Sequence, residues 1–374
     1  MMRIVWNFVA CLLLHGLVQA QSFSVAETAF IQIYEGALGG KYPVVMRLVS
    51  WGNGSLNGDY YYKKVGKRIA LFGEIKDINV VELSEYSDGV QTGTFQMQFV
   101  NDLIIKGVWT SGDGKRKLPF ELKARNQAPD AWAGTWHLND VWDGGMLLVG
   151  NVRKDSLDFA LLVFRSGHIG EIWGSAKRQG NRAIFMHVEQ DFVLETDDDP
   201  EPCHLLFELK NNQIEIQQES SGWVCGFGMR AYASGVFDNK KIDIKPTLSV
   251  GRGEEYIFDT QAQHDGFKQL VGAPFYEVFA FNMQGFLKGD GREENGFDCT
   301  IVEGAVYGMF SVHEAIIIYD KQGKYWAMTI DYENEEDLVL RYYTNDKRYQ
   351  RQLPRAIARW MERFGEYPVR YESK

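Results

Sequence analysis

The chain has 374 residues, of which 45% are hydrophobic, and it carries 40 Lys and Arg against 50 Asp and Glu, a net charge of −10. This acidic surplus argues against nucleic acid or anionic lipid as the main partner, because both require basic side chains that neutralise phosphate. The length predicts two or three domains.

The N-terminus has the pattern of a secretory signal peptide. "MMR" supplies a positive start, "IVWNFVACLLLHGLV" a short apolar run, and Val18-Gln19-Ala20 a small-residue cleavage pattern. We predict that residues 1–20 are removed and that the chain is periplasmic or secreted, without a membrane span. A lipoprotein signal ending at Cys11 is the less favoured alternative, because Phe8 stands where a smaller aliphatic residue is required.

Residues 21–125 are predicted to form a first β-barrel-like domain. Short alternating runs recur from "AFIQIYEG" to "LPFELK", and turn sequences such as "GNGS", "KVGK" and "SGDG" separate them. Runs of this kind are typical of antiparallel strands joined as a meander. We count about eight strands, which is enough to close a small barrel and remove its edges.

The same pattern returns after "ARNQAPD", residues 124–130, which we interpret as a linker. A second set of about eight runs, from "WAGTWHL" to "WVCGFGMRAY", predicts a second β-barrel-like domain over residues 131–240. Gly-x-aromatic triplets recur in both domains, and glycine permits the sharp strand coiling that a small barrel needs. The predicted fold class is mainly β, with two tandem antiparallel β-meander barrels.

Residues 246–374 are predicted to form a small α+β domain. Thr260 and Gln263 have the spacing of a capping box that begins a helix, and Gly272 and Pro274 end it. The runs "AVYGMFSV", "EAIIIYDKQGKYWAMTIDY" and "DLVLRYYT" predict a meander of about three or four strands. An amphipathic helix, "LPRAIARWMERF", follows them.

Three cysteines follow the predicted signal peptide: Cys203, Cys225 and Cys299. In an oxidising compartment such a set predicts one disulfide and one thiol left over. Because Cys203 and Cys225 lie on either side of a predicted hairpin, we expect them to be bonded and Cys299 to be free. We predict that the segment "CGFGM" is a bulged strand with Phe227 packed inward. A reactive thiol or a metal ligand at Cys225 is less favoured, because no helix follows it.

The region around these cysteines is similar to a cysteine-paired β-domain of exported bacterial proteins. The similarity lies in Cys203-x-x-x-Phe207, Ile214-x-x-Gln217, Cys225-Gly226-Phe227-Gly228 and Gly235-x-Phe237. Some of these domains are labelled lysozyme-inhibitor-like, so the resemblance implies an exported domain that binds or inhibits another protein. The first barrel, from "LNGDYYYKKVGKRIALFGEI" onward, is similar to another uncharacterised periplasmic β-domain.

We predict no catalytic residue, no cofactor and no metal site. The sequence has no H-E-x-x-H, no Cys-x-x-Cys and no Gly-rich phosphate loop after a strand. His264-Asp265 and His313-Glu314 could each supply a general base, but surface pairs are the favoured interpretation. Gly134-x-Trp136 is typical of the first strand of lipocalin-type barrels, and the favoured interpretation is a tryptophan that fills the barrel floor.

Arg355, Arg359 and Arg363 line one face of the last predicted helix. They are possible partner-binding residues, although a solvated face or contacts with the chain's own carboxylates are the favoured interpretation. The acidic segments 195–202 and 289–298 lack the spacing of an EF-type calcium loop, and we predict that both are solvated loops.

The leading functional hypothesis is an exported, non-enzymatic binding protein whose barrels display loops to a protein or cell-wall partner. One alternative is a barrel that binds a small apolar molecule, and another is an enzyme with its site in the C-terminal α+β domain. A barrel filled by its own aromatic side chains would favour surface binding, whereas an apolar cavity would favour a ligand.

Overall fold

The computed structural model describes residues 25–77, 79–141, 143–165, 168–187, 201–306, 308–334 and 337–372. The predicted signal peptide, residues 1–20, lies outside these residues, and so does most of the acidic segment 195–202. The chain divides after Arg125 into two compact units. Among the described residues, no helix is both long and apolar enough to cross a membrane.

The first unit is a closed barrel of eight antiparallel strands in sequence order, as predicted. Strand β1 pairs with β2 on one side and with β8 on the other, which closes the barrel. The strands are β1 (Ala29–Leu38), β2 (Tyr42–Trp51), β3 (Ser55–Tyr62), β4 (Arg68–Asp77), β5 (Val80–Ser87), β6 (Val90–Asn101), β7 (Ile104–Ser111) and β8 (Lys117–Ala124).

The interior of the first barrel is filled by side chains from its own strands, because alternate residues of a strand point to the same face. The rings of Tyr60, Phe95 and Phe120 make successive edge-to-face contacts, with centroids 5.3 and 5.6 Å apart. The buried Glu85 carboxylate accepts hydrogen bonds from Tyr60 Oη at 2.7 Å and from Trp109 Nε1 at 2.6 Å. Neutral donors therefore satisfy this buried acid.

The second barrel also has eight antiparallel strands, and β16 pairs with β9 to close it. The rings of Phe159, Phe185 and Phe207 meet in its interior, with centroids 5.0 and 4.9 Å from that of Phe159. Trp136 is buried in this core, as expected. The strands are β9 (Gly134–Asn139), β10 (Asp143–Gly150), β11 (Ser156–Arg165), β12 (His168–Gln179), β13 (Arg182–His187), β14 (Cys203–Lys210), β15 (Gln213–Gln218) and β16 (Gly235–Asp238).

The predicted eighth strand of this barrel, "WVCGFGMRAY", is wrong. Gly222–Cys225 is a 3₁₀ helix, and the chain leaves it at Gly226 with a φ of 73°. Glycine adopts this left-handed conformation at no steric cost, and it turns the chain out of any strand direction. The short strand β16 closes the barrel instead. Phe227 is nevertheless buried, as predicted.

The C-terminal region is a six-stranded sheet with helices, which confirms the α+β prediction. Its strands follow sequence order and are antiparallel, except that β22 runs parallel to β21. They are β17 (Gly285–Asp290), β18 (Thr300–Ala305), β19 (Glu314–Tyr319), β20 (Tyr325–Tyr332), β21 (Leu338–Thr344) and β22 (Val369–Tyr371). The helices are α1 (Gln261–Val271), α2 (Ala273–Asn282), α3 (Arg292–Asn295) and α4 (Arg355–Met361).

Two hydrophobic clusters cover the two faces of this sheet. Phe267 of α1 and Phe279 of α2 belong to one cluster, and Ile357 and Trp360 of α4 belong to the other. Side chains of β19 alternate between the two clusters, and every residue of that strand is buried. The central strands therefore read as continuous apolar runs rather than as an alternating pattern.

The sequence predictions for this region are partly wrong. The capping box of Thr260 and Gln263 is present, but "AVYGMFSV" is not a strand: β18 ends at Ala305, and positive φ angles at Gly308 and Ser311 mark turns. Helix α2 and the strands β17, β18 and β22 were not predicted. Helix α2 is apolar around most of its circumference, so it lacks the periodic stripe by which an amphipathic helix is recognised.

Candidate functional site

The two ends of the second barrel carry connections of very different length. At one end, residues 180–181 and 211–212 form tight turns. At the other end, residues 219–234 connect β15 to β16, beside the last residues of β9 and β11 and the first residues of β10 and β12. We call residues 219–234 the anchored loop. Long connections without strands or extended helices in a compact domain commonly carry function.

A disulfide holds the middle of the anchored loop. Cys225 is bonded to Cys203 at the beginning of β14, with Cα atoms 4.7 Å apart, so the predicted pairing is confirmed. Both cysteines are buried. The backbone N–H of His204 donates to Ser220 Oγ at 3.0 Å, which adds a hydrogen bond between the same strand and the loop.

The same segment is packed into the wall of the barrel. The ring of Phe227 lies against Gly170, where a Cβ atom would come within 2.8 Å of it. The backbone N–H of Gly228 donates to the carbonyl oxygen of Ile169 at 3.0 Å. The Phe227 side chain of the "CGFG" motif therefore occupies space beside β12 that is open only because residue 170 is a glycine.

Arg165 fixes the last part of the anchored loop. Its Nε donates to the carbonyl oxygen of Tyr232 at 2.9 Å, and its guanidinium lies 4.0 Å from the centre of the Tyr232 ring. Asp143 accepts from Arg165 Nη1 at 3.0 Å and from Tyr232 Oη at 3.3 Å. Arg165 is itself buried, and these contacts hold one side of the Tyr232 ring while the ring remains 44% exposed.

The end of the barrel formed in this way exposes large apolar side chains. We call the following five residues the apolar patch, with their exposed fractions: Phe164 (43%), Ile169 (54%), Trp223 (56%), Met229 (80%) and Tyr232 (44%). Phe164 and Ile169 face each other in register across β11 and β12. Clustered exposed apolar residues mark interaction sites, and aromatic residues and Met are enriched at protein interfaces. Anchors that fix the loop beforehand reduce the entropy lost on binding.

The arginines predicted as possible partner-binding residues lie on α4 and on the turn that follows it. Arg359 Nη2 lies 3.0 Å from a carboxylate oxygen of Glu294, and Arg363 Nη2 lies 2.8 Å from Glu314 Oε2. Arg355 is exposed at the first position of α4. Two of the three thus contact the chain's own carboxylates, and a role in partner binding stays a prediction.

The two candidate general bases are not simple surface pairs, so that expectation is wrong. His264 is buried, with Nε2 at 2.7 Å from Tyr276 Oη and Nδ1 at 3.0 Å from Asp265. His313 Nδ1 lies 3.2 Å from Asn282 Oδ1, and burial lowers the pKa of His313. Each imidazole therefore connects elements of the C-terminal fold.

A polar cleft of about 560 Å³ opens in the C-terminal region and includes Lys288, Cys299 and Tyr319. Lys288 Nζ donates to Asp259 Oδ1 at 2.7 Å and to the carbonyl oxygen of Tyr256 at 2.9 Å. Cys299 is buried and is not in a disulfide, as predicted, and burial raises the pKa of its thiol to about 11. A protonated thiol and an ion-paired lysine are poor nucleophiles at neutral pH.

Over the part of the chain that the structure describes, no three His, Cys, Asp or Glu side chains are grouped so that they could hold a metal ion. No family model matches the chain, and no curated protein or solved structure is significantly similar to it. The resemblance of the "CGFG" region to exported cysteine-paired domains therefore stays a prediction.

The apolar patch was not predicted from the sequence, because most of the anchored loop was predicted to be a strand. A signal for a loop, though not for the patch, was present in "SSGWVCGFGMRAYASG", where Gly and Ser recur. Such composition is typical of a loop rather than of a strand.

Proposed function

We propose that the protein is exported, is not an enzyme, and binds a secreted or cell-wall protein through the apolar patch. The observation that carries this proposal is the exposure of Trp223, Met229 and Tyr232 on a loop held by a disulfide and by hydrogen bonds from the buried Arg165. Large side chains on a rigid backbone are typical of the residues that contribute most to protein–protein binding.

The packing of the barrels supports a surface site. Buried side chains form one continuous cluster inside each barrel, with aromatic rings in contact at the centre. An interior filled in this way favours binding at exposed loops over binding of a small apolar molecule inside.

Export is supported by two features of the chain. Its N-terminal sequence has the pattern of a signal peptide, and the Cys203–Cys225 disulfide is of a kind that persists mainly in oxidising compartments. The partner proposed is therefore a protein outside the cytoplasm. A lysozyme fits the resemblance, and a basic partner suits a net charge of −10, because opposite charges accelerate association.

The experiment uses the mature chain, residues 21–374, and a basic lysozyme. Calorimetry would measure binding, and the clearing of a cell-wall suspension would measure inhibition. We expect the wild type to bind, and Trp223→Ala to weaken binding by roughly tenfold or more, since a central interface tryptophan commonly contributes over 2 kcal/mol.

A matched control is Leu287→Ala on β17, because Leu287 is 82% exposed and lies outside the apolar patch. It should bind as the wild type does. Absence of binding by the wild type would contradict the proposed partner, and equal binding by Trp223→Ala would contradict the proposed surface.

A further inference from the structure

A groove of about 600 Å³ crosses the outer wall of the second barrel, from β12 to β15. Its apolar lining includes Ile184, Met186 and Leu206, of which Ile184 is 43% and Met186 is 61% exposed. The groove lies on the side of the barrel, whereas the apolar patch lies at its end. The binding activity proposed above does not use it.

The strand register places opposite charges on the two sides of the groove. Lys177 of β12 and Arg182 of β13 lie on one side, and Glu208 of β14 and Glu215 of β15 lie on the other. All four alternate with buried residues of their strands, so their side chains point outward. The wall therefore carries basic side chains on β12 and β13 and acidic side chains on β14 and β15. Its apolar side chains, Ile184 and Leu206, are the next outward pair along β13 and β14.

We propose that a second copy of this chain occupies the groove, in a homodimer that is symmetric about a two-fold axis parallel to these strands. Such an axis brings the same wall of both copies face to face and sets β13 of one opposite β14 of the other. Arg182 then faces Glu208 of the second copy, and Ile184 faces Leu206. The basic side chains of each copy meet the acidic side chains of the other, and the apolar side chains of the two walls are buried together.

The charge pattern favours this occupant over an unrelated partner. A partner of one dominant charge would be repelled by half of the wall, whereas a second copy matches both halves at once. The exposed Arg182–Glu208 pair within one chain, at 3.5 Å, contributes little to stability because water screens it. In the dimer, the same charges would set the register of the two walls.

The first test is sedimentation velocity of the mature chain over a wide range of concentration. We expect a reversible dimer, and Ile184→Asp should raise its dissociation constant by roughly tenfold to a hundredfold, as expected for loss of a buried apolar side chain. Leu287→Asp, a change at an exposed leucine outside the groove, should leave the dimer intact. A wild type that stays monomeric, or a dimer that Ile184→Asp does not weaken, overturns the proposal.

The second test is a mixing experiment with two charge reversals. Arg182→Glu and Glu208→Arg each place like charges opposite each other, so each variant alone should dimerise more weakly. An equimolar mixture should form a heterodimer, because the reversed charges then face opposite charges on the other variant. Failure of the folded variants to associate when mixed overturns the proposed register. Ile184→Asp should still bind lysozyme, so this proposal can fail while the proposed function stands.

Discussion

The two barrels have the same number of strands but close in different ways. In the first, β8 pairs with β1 over five residue pairs, whereas in the second β16 pairs with β9 over two. The sequence has no cysteine between residues 21 and 125, but a disulfide lies just before the short closing strand of the second barrel. A long closing ladder thus needs no covalent support, whereas a barrel with a long loop before its last strand is held by additional anchors.

The cores of the two barrels should respond alike to the loss of an aromatic side chain. Phe95 and Phe159 are both fully buried and both contact two other aromatic rings. We expect Phe95→Ala and Phe159→Ala each to lower the local free energy of unfolding by about 3–5 kcal/mol. Amide hydrogen exchange in the strands of each barrel would measure this, and an effect confined to one barrel would contradict the equivalence of the cores.

Loss of the disulfide should destabilise the second barrel and leave the first unaffected. A paired replacement, Cys203→Ala with Cys225→Ala, should destabilise the second barrel by about 2–4 kcal/mol and leave amide exchange in the first unchanged. Exchange at residues 219–234 should increase most, because the bond fixes the middle of that loop. Unchanged exchange in the loop would show that its hydrogen bonds alone hold it.

A substitution at Glu85 should have the opposite distribution of effects, destabilising the first barrel and not the second, because Glu85 is buried in the first barrel. The substitution Glu85→Leu removes both carboxylate oxygens, while the N–H of Trp109 and the O–H of Tyr60, which both donate to Glu85 Oε2, still require an acceptor. We expect a loss of about 1–3 kcal/mol from the first barrel, measured by exchange of its amides. Glu82→Leu, the same change on the exposed face of the same strand, is the control and should have little effect.

The smallest expected difference is in the response to acid. The first barrel contains no histidine, whereas burial, with a contribution from Lys241, lowers the pKa of His137 in the second. The unfolded chain, with a histidine pKa of about 6.5, then takes up a proton more readily than the folded barrel does. The stability that neutral His137 contributes is fully present above about pH 6.5. It is lost as the pH falls through the lower pKa that His137 has in the folded barrel. His137→Gln should remove this part of the pH dependence, measured by amide exchange across the same pH range.

Sequence patterns predicted both barrels well, because strands such as β5 and β6 have one face in the core and alternate accordingly, and short turn sequences separate the strands. They failed at "CGFGM", where Cys225 and Phe227 are buried as strand residues would be, although the backbone turns at Gly226. They failed again at α2, which is apolar on nearly all sides. The composition of residues 219–234 could have indicated the loop, but not the apolar patch, because the patch combines loop residues with Ile169 of a distant strand, whose carbonyl oxygen accepts from Gly228. Only the closed barrel brings these residues to one end.

If the anchored loop is the binding surface, lysozyme should protect its backbone amides from hydrogen exchange. Amide hydrogen exchange with and without lysozyme measures this protection. We expect slower exchange at residues 219–234 and at Ile169 when lysozyme is added, with no change in the strands of the first barrel. Unchanged exchange in the loop at saturating lysozyme, or slower exchange only outside the second barrel, would contradict this expectation.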